Sequence, residues 1–115
     1  MAKVRLKRVY DPPSKEDGMR VLVDRLWPRG LSKDKARIDL WLKDLAPSNE
    51  LRQWFGHDNE RWDDFKKKYR AELHGQKEAV DRLKGLGRQG PVTLLYAAKD
   101  EAHNNAVVLR DFLIH

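Results

Sequence analysis

Cysteine is absent from the 115 residues. That excludes disulfides, zinc–thiolate sites and thiol nucleophiles, and it makes a cytoplasmic location the default expectation. Long hydrophobic runs are missing too. The apolar stretch Val92–Ala98 is far too short to cross a bilayer. The opening MAKVRLKRVYD lacks the roughly 7–15-residue apolar segment of a signal peptide. No membrane association is expected.

Chemical signatures are equally scarce. Neither a GxxxxGK[ST] phosphate loop nor a GxSxG nucleophile elbow occurs. His57, His74, His103 and His115 form no i, i+4 pair, so no helical metal site is indicated, and no cofactor is expected. Gly85–Gly90 does spell GxGxxG, but after a helical pattern and before a strand. Dinucleotide binding needs the reverse order, and the stretch reads as a helix C-cap and turn.

What is present suits one domain spanning residues 1–115, with 40% hydrophobic and 37% charged residues. The formal net charge is +6 and unevenly placed. Residues 1–37 hold 11 Lys/Arg against 5 Asp/Glu, while the remainder holds 13 of each sign. A basic first third points to an anionic partner such as a nucleotide, nucleic acid or other phosphate-bearing molecule; the plain alternative is a solvated surface.

Lys3–Tyr10 alternates with period two, as a half-buried strand near a sheet edge does. DPPSKEDG then forms a turn-rich connector, and Val21–Val23 reads as an interior strand ended by Pro28. Ser32 caps a short helix over Lys33–Arg37. IDLWLKDL (Ile38–Leu45) alternates again and predicts a third strand. Ser48 caps a helix over NELRQWF, and Gly56-His57 breaks it. Trp62, Phe65, Tyr69 and Leu73, then Val80, Leu83 and Leu86, mark an amphipathic helical stripe interrupted near Gly75. PVTLLYAA is the clearest buried strand, and Asp100 caps a final helix with Ala102, Ala106, Leu109 and Phe112–Leu113 inward. This order argues for an α/β fold with a small, mostly parallel sheet of about four strands flanked by helices.

Parallel α/β sheets bind ligands beyond the carboxyl ends of their strands. There the sequence places Asp24, Arg25, Trp27 and Arg29 after strand two, Lys43 and Asp44 after strand three, and Tyr96 and Lys99 after strand four. His103, Asn104 and Asn105 open the last helix at the same rim. Arg25, Trp27, Arg29, Lys43, Tyr96, Lys99 and Asn104 are thus candidate ligand-binding residues, since arginine forks grip phosphate or carboxylate and tryptophan stacks. The structural alternative has Asp24–Arg25 and Lys43–Asp44 pairing with each other across adjacent strands to fix register.

VLVDRLWPRGLSK, DLWLKDLAPSNELRQWFGHD, FKKKYRAEL and TLLYAAKDEAHNNAVVL closely resemble the bacterial YeaO-like proteins, a domain of unknown function. The likeness runs from Val4 to Leu113 with the motifs in family order. The family's RLWPRG is Arg25–Gly30 and its WFGHD is Trp54–Asp58. A more distant branch carries a cysteine-rich motif after its last strand. Tyr96–Asp100 stands there in this chain, so thiol chemistry does not transfer.

Two functional expectations follow. One is a module binding an anionic ligand at the strand-end rim. The other is a small hydrolase-like enzyme on a phosphorylated or carboxylated molecule, with His57 as acid/base and Asp24 or Asp44 orienting it. A third class, a protein-partner role, would need an apolar patch around Trp41, Trp54 or Trp62.

Overall fold

The computed structural model describes residues 3–114, so His115 lies outside it. Four strands, β1 (Val4–Arg8), β2 (Met19–Leu22), β3 (Leu40–Trp41) and β4 (Val92–Tyr96), form an entirely parallel sheet in the order β1-β4-β2-β3. The helices are α1 (Lys33–Ala36), α2 (Asn49–Phe55), α3 (Trp62–His74), α4 (Lys77–Gln89) and α5 (Asn105–Ile114). The α/β class and the edge and interior positions of β1 and β2 agree with the sequence patterns.

Alternation along the strands builds two unequal cores. Val21, Val23, Val92, Leu94 and Tyr96 join the main core together with side chains from α2–α5, such as Leu51, Phe65, Leu83 and Leu109. Leu22 and Leu95 instead join Val9 on the other face, covered by Trp27, Leu31, Ile38 and Trp41. That second face has no long helix. The connection between β2 and β3 covers it instead.

A buried polar cluster completes the second face. Arg20 is 4% exposed and donates to Asp17 (2.5 Å), to Arg37 O (3.1 Å) and to Ala36 O (2.9 Å). Lys7 adds a second cation to Asp17 at 3.2 Å, and the Ser14 N–H donates to the same carboxylate at 2.9 Å. Burial alone would raise the Asp17 pKa, but the Ser14 N–H and the two cations outweigh it and hold the carboxyl below its ordinary value. Gly18 turns the chain into β2 with φ +62°, and a Cβ there would sit 2.3 Å from Pro91 O. Only glycine fits.

Three expectations need correction. The third strand covers Leu40–Trp41 rather than Ile38–Leu45. Its partner β2 ends at Leu22, and after the Leu42 N–H donates to Leu22 O at 3.0 Å the chain coils into a 3-10 turn over Lys43–Leu45 that buries Leu45. The final helix starts at Asn105. Asp100 caps only the turn before it, through the Ala102 and His103 N–H groups, while the Asn104 side chain accepts from Val107 N at 3.1 Å and leaves Ala102 exposed. Gly85 and Gly87 lie inside α4, and only Gly90 closes it, because buried Gly87 packs within the helix rather than in a turn.

Asp17→Asn should cost about 3 kcal/mol, since it leaves Arg20 buried without its anion. Urea unfolding at pH 7 measures this. Because the folded Asp17 pKa is lowered, its contribution is fully present above the unfolded carboxyl value of about 3.9 and is lost as pH falls below it.

Candidate functional site

The β2–β4 ladder ends at the Leu22–Leu95 pair, with the Val23 N–H still donating to Leu95 O, and one residue ties the chain segments just beyond it. The Asp24 carboxylate accepts the Ala97 N–H at 2.8 Å, and the Asp24 main-chain oxygen accepts the Trp41 indole N–H at 2.7 Å. Asn105 donates to Val23 O at 2.9 Å, which ties the start of α5 to the same point. Burial raises the Asp24 pKa, against the opposing effects of the Ala97 N–H, the Asn105 amide and the more distant charge of Arg52.

Above this knot lies a cavity of about 490 Å³ at the carboxyl end of the sheet. Phe55, Phe65, Trp27, Pro28 and Pro47 give it apolar walls, and Asp24 and Asn105 form polar ground among them. Arg29 and Arg52 line it as exposed side chains, and among the described residues neither has a carboxylate within ion-pair distance. His57 reaches the cavity because Gly56 and His57 both adopt left-handed backbone (φ 54° and 58°), turning the chain sharply at the end of α2. Gly56 makes the helix cap, donating to Arg52 O, so His57 is not a capping group. His103 lines the opposite wall, with its Nδ1 3.0 Å from Asp100 Oδ2 and its ring edge-on to Trp62.

The sequence candidates divide. Asp24, Arg25, Trp27, Arg29, His57 and Asn104 all line the cavity. Arg25 engages its guanidinium elsewhere, donating to Pro47 O (3.1 Å) and Ala46 O (3.4 Å), so it braces the loop before α2. Trp27 donates to Leu31 O at 2.7 Å and packs edge-on against Trp41. Asn104 is the α5 cap. Lys43, Asp44, Tyr96 and Lys99 are not brought to this cavity. Lys43 lies over the Trp41 ring at 4.0 Å, and Tyr96 is buried in the core, where burial pushes its phenol up. Asp44 lines a smaller cavity with Arg25, Tyr69 and Glu72, and Lys99 is exposed. Asp24–Arg25 and Lys43–Asp44 make no ion pairs among the described residues, so cross-strand pairing does not explain these charges. His57 makes no hydrogen bond to Asp24 or Asp44.

Arg52 and Phe55 are the principal residues that strand-end reasoning missed. They stand three apart on α2, a spacing that puts both on one helix face, but only the packing of α2 reveals which face meets the cavity. Tyr10 also lines it, donating its hydroxyl to Arg29 O at 2.9 Å and so setting the β2 loop against the end of β1. A groove of about 730 Å³ elsewhere lies among α3, α4 and α5; Arg70, Lys77 and Lys84 share it with Asp81 and Asp111, and no strand-end group reaches it.

These contacts separate a brace from a free cation. Arg25→Ala should lose about 1–3 kcal/mol by freeing two carbonyls, whereas Arg52→Ala should stay within about 0.5 kcal/mol of the parent. Chemical denaturation of the two variants measures the contrast.

The comparisons with known proteins fit this architecture. Residues 3–115 match the family described as the inactive DUF488-N3 subclade. An uncharacterised protein of Mycobacterium tuberculosis is 44% identical over 111 residues, which span 96% of this chain and 93% of the relative. The uncharacterised protein YeaO of Escherichia coli K12 is 44% identical over 110 residues, 96% of each chain. No solved structure matches the chain. Among the described residues, no helix is long and apolar enough to cross a membrane. By sequence and by extent of match, the chain belongs to the inactive DUF488-N3 subclade, the YeaO-like proteins of unknown function.

Proposed function

We propose that the protein binds a small phosphate-bearing molecule, of nucleotide size, in the cavity at the carboxyl end of its sheet. One observation carries the reading: Arg29 and Arg52 line an apolar-walled cavity and have no carboxylate partner among the described residues. Arginine forks left unpaired beside aromatic walls suit a phosphate attached to a planar ring. Asn104 and Asn105 bring the N-terminal end of α5 to the same cavity, adding a favourable field for an anion.

A free ligand fits better than a nucleic-acid strand. The charges of Glu101, Asp11 and Asp100 act on the Tyr96 phenol at the end of β4, against that of Arg8, so a polyanion crossing the rim would meet a field of mixed sign. Binding fits better than catalysis. Among the described residues no carboxylate orients His57, and the matched family is described as inactive. The hydrolase-like alternative keeps only the presence of His57 and Asp24 in the same cavity.

Isothermal titration calorimetry with inorganic phosphate, ribose 5-phosphate and nucleoside monophosphates tests the proposal. Arg52→Ala should weaken each bound anion by about tenfold, or about 1.4 kcal/mol. Equal affinity in the parent and in both Arg29→Ala and Arg52→Ala would refute it. Binding to an oligonucleotide with a steep negative salt slope, and none to monophosphates, would favour a nucleic-acid partner instead.

A further inference from the structure

The floor of the cavity holds a charge that phosphate binding does not account for. Asp24 is largely withdrawn from solvent yet lines the cavity. Its structural task is to accept the Ala97 N–H through Oδ2. An asparagine carbonyl would do the same without desolvating a full charge. No cation among the described residues comes within ion-pair distance of this carboxylate. The Arg25 guanidinium is held by Pro47 O and Ala46 O, and Arg52 acts on Asp24 only from farther away. The Asn105 amide, which donates to Val23 O, also favours the charged form of Asp24, but it is neutral.

The full negative charge thus has neutral donors but no cation beside it, and it lines the cavity. We infer that Asp24 determines specificity by accepting a hydrogen bond from an amine or ring N–H at the end of the ligand opposite its phosphate. The inference rests on the phosphate-site reading and narrows its ligand to an amino-bearing nucleoside monophosphate. In that arrangement Arg29 and Arg52 hold the anionic end, Phe55 and Trp27 flank the ring, and Asp24 reads its edge. A part-buried carboxylate of this kind discriminates, because a ligand without the donor takes water from it and leaves its remaining acceptor positions unfilled.

Calorimetry with AMP, CMP and ribose 5-phosphate on the parent and Asp24→Asn is the test. The parent should bind AMP and CMP at least about tenfold more tightly than ribose 5-phosphate. Asp24→Asn should erase that preference, leave ribose 5-phosphate within about twofold of the parent, and melt at the same or a higher temperature. Asp24→Ser, which keeps a short acceptor, serves as the second variant. An unchanged preference in the variants, or no preference in the parent, overturns the Asp24 assignment while the phosphate site stands. Failure of both variants to fold also overturns it, because the charge would then be a requirement of the fold. A parent that binds none of the three probes overturns the phosphate site itself.

Discussion

Asp24 joins β2, β3 and β4 through two of its own oxygens, one accepting the Ala97 N–H and the other the Trp41 indole N–H. Parallel strands that diverge expose backbone donors at their ends, and a buried donor without a partner costs free energy comparable to a lost hydrogen bond. Here a side chain from one central strand satisfies the donor of the other just where the ladder stops. The cavity opens just beyond the end of the ladder, and Asp24, bonded to the Ala97 N–H, lines it. Fold and site share this residue.

The basic first third of the chain has a different meaning in the structure from the one its composition invites. Lys7 and Arg20 converge on Asp17, Arg5 lies 3.7 Å from Glu16, and Arg8 donates to Ala97 and Ala98 carbonyls. Arg25 holds two more carbonyls. Lys7 and Arg20 brace the sheet face covered by the β2–β3 connection, while Arg8 and Arg25 tie strand ends to main-chain carbonyls. Of the arginines in that third, Arg25 and Arg29 both line the cavity, but Arg25 is held by two carbonyls and only Arg29 has neither a hydrogen-bond nor an ion-pair partner for its guanidinium among the described residues; its counterpart Arg52 comes from the part of the chain whose charges balance. The case for an anionic ligand thus rests on where two side chains lie, with net charge contributing little.

The parallel sheet, the order of its elements and the strand-end rim where the cavity lies were legible from residue patterns. Val21–Leu22 and Val92–Tyr96 are buried on both faces, as central strands must be, and Ser48 and Gly56 bracket α2 by chemistry that depends only on neighbouring residues. The extent of β3 was not legible. Alternation in IDLWLKDL continues past the point where β2 can still offer a partner, and a strand's length is a property of the pair. Which candidates hold ligand was equally hidden. Arg25 and Arg29 look alike in RLWPRG, but one meets carbonyls from a loop 21 and 22 residues away and the other does not. Lys43 and Tyr96 were placed on the rim by their neighbours in sequence, and were withdrawn from it by a tryptophan ring and by the core, respectively.

The central claim is that the strand-end cavity is a binding site for a phosphate-bearing small molecule. Two-dimensional amide NMR of the uniformly ¹⁵N-labelled protein, titrated with AMP, tests it most directly. The account predicts saturable shifts at the Ala97, Ala98 and Asn105 amides and at the Trp27 indole N–H, with the α3–α4 surface unchanged. Shifts confined to the groove around Arg70, Lys77 and Lys84, or no saturable shift anywhere, would contradict it.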